Sequence, residues 1–256
     1  MSAPPSAEVE RLQHEEEELR RRLQELMRSN VDLAHFAHVA AHDLQEPLRK
    51  VITFGDRLKE VSAGKLDPEG AECVERMCSA ALRMRVLIDS LLSYARAITA
   101  VQPLEPVSLS AAARDAAGDL EPRSAACGAR VEIGELPTVQ ADPVQLRQLF
   151  QNLIGNALKF RRSDASPTVR VVERPAPKGF VAFAVEDDGI GFDPKYAQKI
   201  FEPFHRLHGR GQYEGAGMGL AICDRIALRH GGEIRAEGSL GHGARFTVTL
   251  PAAPAR

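Results

Sequence analysis

The chain has 256 residues, a formal net charge of −2 and 44% hydrophobic residues, enough for one or two domains with real cores. Charge so near zero gives no bulk attraction to nucleic acid or a membrane surface, and no apolar run approaches the roughly 18 residues of a membrane span. Cys73, Cys78, Cys127 and Cys223 show no metal-ligand spacing, and the opening Met-Ser-Ala-Pro-Pro has no signal-peptide pattern, so a reduced cytoplasmic setting is expected.

Residues 1 to 7 are small and proline-containing, and are expected to fray. Heptads then run from Val9 to Val61. Position a reads Val9, Glu16, Leu23, Asn30, Ala37, Leu44, Val51 and Leu58; position d reads Leu12, Leu19, Leu26, Leu33, Ala40, Pro47, Phe54 and Val61. This is a coiled-coil or bundle seam at period 3.5, with Glu16 and Asn30 setting register at a cost in stability. The charges from Glu15 to Glu18 and Arg20 to Arg22 read as its solvated flank. In this register His42 falls at f, farthest from the seam. Pro47, a little over one turn on, removes the bond to the Asp43 carbonyl and predicts a bend costing about 3 kcal/mol. An exposed histidine beside such a bend is either a surface residue near a tolerated kink or a nucleophile.

Ser62 to Pro68 breaks the pattern. Gly64 closes the first helix, and Asp67-Pro68 opens the second as N-cap and first-turn proline. Val74, Met77, Ala81, Met84, Ile88, Leu91, Ala95 and Ile98 alternate at spacings of three and four, and Leu82, Leu87 and Leu92 widen that stripe. Two such helices form an antiparallel hairpin. One hairpin cannot cover both stripes, so two copies are expected in a four-helix bundle, a homodimer. Residues 99 to 107 read as an extended linker with two prolines. Beyond it a helix is expected from Ser110 to Leu120, a strand from Ala129 to Ile133 and a helix from Asp142-Pro143 to about Phe160. Strands follow at Val169 to Glu173 and Phe180 to Glu186, then a loop-rich stretch to Gly219. A helix from Leu220 to His230 and strands at Glu233 to Glu237 and Arg245 to Leu250 complete an α/β sandwich.

Gln148, Asn152, Asn156 and Lys159 share one stripe about 80° wide on the helix after Asp142. That stripe suits an ordinary polar helix edge, or a phosphate and its metal, since amide oxygens ligate Mg²⁺ and lysine meets phosphate as a point charge. Asp187 ends a strand and precedes Gly189 and Gly191, so its carboxylate could accept an adenine amino proton with backbone lying against the base. Gly215, Gly217 and Gly219-Leu220 precede a helix, where amides and dipole favour anions. The spacing excludes Rossmann and P-loop signatures. Between the two glycine runs lie Lys195, Lys199, His205, Arg206, His208 and Arg210, a cation-rich lid.

Taken together these motifs resemble a known family. His42-Asp-Leu-Gln-Glu-Pro-Leu-Arg49 resembles the H-box of sensor histidine kinases, most closely the type found in bacterial phytochromes. Asn152 to Phe160 is similar to the N-box of the GHKL ATPases, Asp187 to Gly191 to the G1 box, Phe201-Glu-Pro-Phe204 to the F-box and Gly215 to Leu220 to the G2 box. Gly241-His-Gly243 resembles the final glycine turn. The resemblance covers nearly the whole chain and implies four parts: an N-terminal coiled-coil signalling helix (1–30), a dimerisation and histidine phosphotransfer domain (31–98), a linker (99–107) and a Bergerat-type ATP-binding domain (108–252).

The resemblance also implies the chemistry. In a homodimer ATP phosphorylates His42, and the group passes to an aspartate on a response regulator receiver domain. It places Asp43 as general base, Asn156 on Mg²⁺, Asn152 and Lys159 beside the phosphates, Asp187 on adenine and Arg206 at the γ-phosphate. Neighbours on a helix do not share a face, so Asp43 must reach back through its rotamer. Input is expected through the coiled coil, from a separate sensor protein or an upstream sensor domain. A GHKL-type ATPase clamp and a non-catalytic dimeric scaffold are the rival readings. Glu46 stands where bifunctional relatives carry Thr or Asn, which implies a kinase-dominated enzyme.

Overall fold

The computed structural model describes residues 7–62, 65–99, 103–163, 165–207, 209, 213 and 215–253. The expected fraying of residues 1–6, the turn glycine Gly64, the side chain of Asn30 and the lid cations His208 and Arg210 lie outside the described residues.

Helix α1 (Ala7–Val61) is continuous through Pro47. Helix α2 (Pro68–Thr99) follows the expected start: the Asp67 side chain accepts the Gly70 amide at 2.8 Å, and Pro68 occupies the first turn, where its missing N–H has no cost. The two helices pack as an antiparallel hairpin, but not through the heptad seam. The face of α1 turned to α2 carries Ala41, Gln45, Leu48, Gly55 and Lys59. Gln45 donates to Asp89 at 2.8 Å, Lys59 pairs with Glu75 at 2.5 Å, and Gly55 sits directly on the Cys78 side chain. Small residues let the backbones approach, so this face closes within one chain. The bulkier seam residues Leu44, Val51, Phe54, Leu58 and Val61 stay exposed, Phe54 at 66%. On α2, Val74, Ala81 and Ala95 are buried as expected, together with Cys78 and Leu92, whereas Met77 and Met84 point outward.

The rest of the chain is a two-layer α/β unit. Strand β1 (Glu105–Ser108) arises within and just past the stretch expected to be linker, and pairs antiparallel with β3 (Thr138–Ala141). Helices α3 (Leu109–Asp119) and α4 (Glu121–Ala126) and strand β2 (Arg130–Ile133) lie between them. Ser108 caps α3, accepting from the Ala111 amide. Helix α5 (Pro143–Lys159) starts where Asp142 accepts from the Val144 and Gln145 amides. Strands β4 (Thr168–Arg174) and β5 (Phe180–Asp187), helix α6 (Gly219–Arg229), and strands β6 (Glu233–Gly238) and β7 (Ala244–Pro251) complete it.

The main sheet has the order β2-β4-β5-β7-β6, with β2 and β4 parallel and the remaining pairs antiparallel. The core lies where α3, α5 and α6 cover one face; Phe150 of α5 meets Phe183 of β5 with ring centroids 4.8 Å apart. On the other face Glu186 lies between Arg174 and Arg245. Burial pushes its carboxyl up, but the two guanidinium partners outweigh that and hold it below the usual range. Among the described residues no helix is long and apolar enough to cross a membrane.

Candidate functional site

His42 stands clear of the hairpin contact, its side chain 77% exposed. Asp43 does reach back: its Oδ1 lies 3.3 Å from His42 Nδ1. A carboxylate on Nδ1 favours the tautomer with the proton there, leaving the Nε2 lone pair facing solvent. His42, Gln45, Glu46 and Arg49 line an open groove of about 330 Å³. Glu46 is engaged with Lys50 at 2.9 Å, one turn on along the same helix face.

The second site lies between α5, the end of β5 and the start of α6. Asp187 accepts the Gly189 amide at 2.9 Å and the Ala244 amide at 3.2 Å, both on Oδ1, so Oδ2 is left for a ligand. Burial, partly opposed by those two amides, pushes its carboxyl up to about 6. Asp188 turns the other way and accepts the Thr168 amide at 2.9 Å, which separates the roles of two identical neighbours. Gly191 has φ of +61° and lies against the Ser239 carbonyl, where any Cβ would collide.

At the phosphate end, α5 and the second glycine run face each other. A Cβ on Gly219 would sit 3.5 Å from Asn152 Oδ1, and one on Gly215 would sit 3.3 Å from Lys159 Nζ. Asn152 Nδ2 is buried without an oxygen acceptor among the described residues, its neighbour being the Cys223 thiol. Asn156 is half-buried one turn further along α5, and Leu220 packs on the core behind the glycines. Lys159 Nζ lies 4.4 Å from the Phe160 ring centroid. Arg206 donates to the Gly215 carbonyl at 3.0 Å and the Tyr213 carbonyl at 2.6 Å, bracing the glycine run from the lid. Gly217, at φ of +74°, packs under the backbone of Phe204 and His205.

Asn152, Lys159, Gly215 and Gly219 are therefore brought together, and the Phe160 carbonyl at the end of α5 accepts the Ile190 amide at 2.9 Å, which joins the run of Asp187, Gly189 and Gly191 to the same helix end. Sequence reasoning did not single out Tyr213, whose ring centroid lies 5.0 Å from that of Phe160 with the planes tilted by 54°, or Cys223 behind Asn152, or Ala244 as a donor to Asp187. An aromatic among lid glycines was the one available signal for Tyr213. The other two depend on which strands and helices become neighbours.

Residues 32–99 match the family model "His Kinase A (phospho-acceptor) domain", and residues 141–254 match "Histidine kinase-, DNA gyrase B-, and HSP90-like ATPase". The chain is 39% identical over 235 residues to the phytochrome-like protein Cph1 of Synechocystis sp., covering 92% of this chain and 31% of that protein. It is 40% identical over 235 residues to cyanobacterial phytochrome A of Nostoc sp., covering 92% and 30% respectively. The chain thus spans about a third of the length of these relatives. Among solved structures, full-length ShkA in complex with AMPPNP superposes with a TM-score of 0.66 at 30% identity, over 86% of this chain and 46% of that one.

Proposed function

Since the chain belongs to the sensor histidine kinases of the bacteriophytochrome-like type, we propose that it transfers the γ-phosphoryl group of ATP to His42 and then to an aspartate of a response regulator receiver domain. The observation that carries this reading is the His42–Asp43 pair. Asp43 takes the Nδ1 side, so Nε2 is the free nucleophile on an exposed ring. Nε2 forms the new bond to phosphorus as the bond from phosphorus to the ADP oxygen breaks. Asp43 accepts the Nδ1 proton, so the phosphorylated ring ends neutral.

The residues between α5, β5 and α6 suit a nucleotide. Asp187 Oδ2 suits the adenine amino group, and Gly189 and Gly191 give the base a close-lying backbone. Lys159, Asn152 and the amides from Gly215 to Leu220 suit the phosphates. The orphaned Asn152 amide supports a polar ligand there. Asn156 offers the hard oxygen that Mg²⁺ prefers, and the ion would offset phosphate charge when bound. Arg206 is the cation placed to move from the Gly215 and Tyr213 carbonyls to the γ-phosphate.

A homodimer is supported by the open seam of Leu44, Val51, Phe54, Leu58 and Val61, which a second copy would cover. We divide the chain at residues 31–98 for the dimerisation and phosphotransfer domain and 108–252 for the ATP-binding domain, with input arriving through α1 from an upstream or separate sensor. A cytoplasmic setting follows from the intracellular chemistry of ATP.

The test is incubation with γ-labelled ATP. Acid-labile, base-stable label on wild type, absent in His42→Gln that still binds nucleotide, supports the reading. Label retained in His42→Gln removes His42 from the mechanism. ATP turnover without label favours a GHKL ATPase, and neither favours a scaffold.

A further inference from the structure

Cys223 of α6 is buried at 0% exposure and meets two polar groups of α5. Its Sγ donates to the Leu149 carbonyl at 3.8 Å, and its other polar neighbour is the Asn152 side-chain amide. Burial, partly opposed by that amide, pushes the thiol up, so it keeps its proton. A thiol has one proton to give. With that proton directed at the Leu149 carbonyl, the sulfur can meet Asn152 only as an acceptor.

The Asn152 carboxamide has two orientations, related by a half-turn that exchanges its oxygen and nitrogen. Nδ2 is buried and has no oxygen acceptor among the described residues, so the sulfur is the acceptor beside it. The reversed group would set Oδ1 against a sulfur whose proton is already used, acceptor against acceptor. With Nδ2 turned inward, Oδ1 turns to the head of α6. It is the atom nearest to a Cβ built on Gly219, at 3.5 Å. Gly219 and Cys223 are one turn apart on α6, about 6 Å, so the amide bridges from the buried thiol to the glycine run. An oxygen at that place cannot donate to a phosphate. It suits a hard cation, and Asn156 stands one turn further along the same side of α5.

We infer that Cys223 is a positioning residue: its thiol fixes Asn152 with Oδ1 facing the phosphate end of the site, where that oxygen serves the same Mg²⁺ as Asn156. The inference rests on the nucleotide reading above. It gives a buried cysteine on α6 a task in metal-dependent nucleotide binding without contact to the nucleotide itself.

The experiment takes wild type, Cys223→Ser and Cys223→Ala as full chains and titrates each with a non-hydrolysable ATP analogue, in Mg²⁺ and again in EDTA. The quantity read is the Mg²⁺ gain, the ratio of the two affinities. Cys223→Ala should cut that gain roughly 10-fold, as expected when a group that orients a metal ligand is lost, and leave the metal-free affinity unchanged. Cys223→Ser keeps a donor for the Leu149 carbonyl and an acceptor for Asn152, and should retain the gain even where unfolding shows it to be less stable than Cys223→Ala. A full gain in Cys223→Ala, a loss in Cys223→Ser equal to that in Cys223→Ala, or a wild type indifferent to Mg²⁺ each overturns the inference. A second measurement needs no variant and decides alone if Cys223→Ala does not fold: hydrogen exchange of the Asn152 side-chain amide by NMR in nucleotide-free wild type. Slow exchange, as of an amide turned in against the sulfur, supports the inference; fast exchange, as of one facing the open site, overturns it. If wild type binds no analogue, the nucleotide reading fails instead, and the same exchange measurement decides whether Cys223 holds Asn152.

Discussion

Asp142 and His230 fasten together the two helices that carry the nucleotide residues. The Asp142 amide donates to His230 Nε2 at 3.0 Å, and His230 Nδ1 lies 2.7 Å from the Ile226 carbonyl, so the imidazole is used at both nitrogens while its residue is only 6% exposed. The neutral tautomer with the proton on Nδ1 satisfies both contacts. One ring thereby ties the start of α5 to the end of α6. The opposite ends of these helices hold Lys159 and Gly219.

His230→Leu keeps the volume but strands the Asp142 amide, while the Ile226 carbonyl keeps the backbone amide of residue 230 at 3.2 Å. A loss of about 1–3 kcal/mol is expected from one buried amide left unpaired. Denaturant unfolding measures it, and nucleotide affinity should fall as well, because the facing of Asn152 and Gly219 depends on this fastening. Stability within about 0.5 kcal/mol of wild type would show that the pair is dispensable.

Asp187 makes stability depend on acidity in an unusual sense. Burial raises its carboxyl to about 6 in the folded chain from 3.8 in the unfolded one. Well below pH 3.8 both states are protonated and the group contributes nothing. As pH rises from 4 to 6 the unfolded state ionises first, so stability falls, and above 6 the deficit is constant at up to about 3 kcal/mol. Asp187→Asn is therefore expected to be more stable than wild type at pH 8 and no different near pH 3.5. Its nucleotide affinity should collapse, since the amide cannot supply the same acceptor. Wild-type affinity should decline below pH 6, when a proton on Oδ2 displaces the adenine contact. Thermal unfolding and analogue titration from pH 4 to 8 check both signs.

Phe54 tests the proposed second copy. It is 66% exposed in the single chain and sits at position d of the seam. Burying it in a symmetric bundle is worth about 1.5–3 kcal/mol per chain, counted twice. Light scattering is expected to find wild type dimeric and Phe54→Asp monomeric at the same micromolar concentration. The monomer should retain nucleotide binding, because the residues proposed to hold it come from a single chain. A variant that remains dimeric at micromolar concentration would place the interface elsewhere.

Glu46 bears on phosphatase activity. Its carboxylate pairs with Lys50 at 2.9 Å, an exposed contact one turn apart that contributes about 0.3–0.5 kcal/mol. That partner softens but does not remove repulsion against a phosphoryl group beside His42, of order 1 kcal/mol at 4 Å in water. Unlabelled kinase with ADP, added to a phosphorylated regulator, should release phosphate little faster than the regulator does alone. Glu46→Thr should raise that release. Rapid release by wild type would contradict the expectation.

Much of this molecule is local. The heptads of α1, the Asp67-Pro68 and Asp142-Pro143 caps, and the stripe of Asn152, Asn156 and Lys159 depend on spacing within one helix or turn, so the sequence alone determined them. The glycine runs are equally local, since a positive φ at Gly191 or Gly217 is a property of one residue. The short pieces β1, β3 and α4 escaped notice because four to six residues carry too little periodicity to stand out.

What only the tertiary structure decided are the pairings across long stretches of chain. Which face of α1 meets α2 was settled by Ala41, Gly55 and Cys78, whose small size permits a close approach that the larger seam residues forbid. The Ala244 amide reaches Asp187 across 57 residues, Asp142 reaches His230 across 88, and Arg225 reaches Tyr94 across 131. Each is a directional bond between groups of ordinary type, and type alone does not choose a partner. The choice is made when burial of the shared core sets β5 beside β7, α5 beside α6 and α6 against α2, and the polar groups left inside must pair with whatever the packing brings within reach.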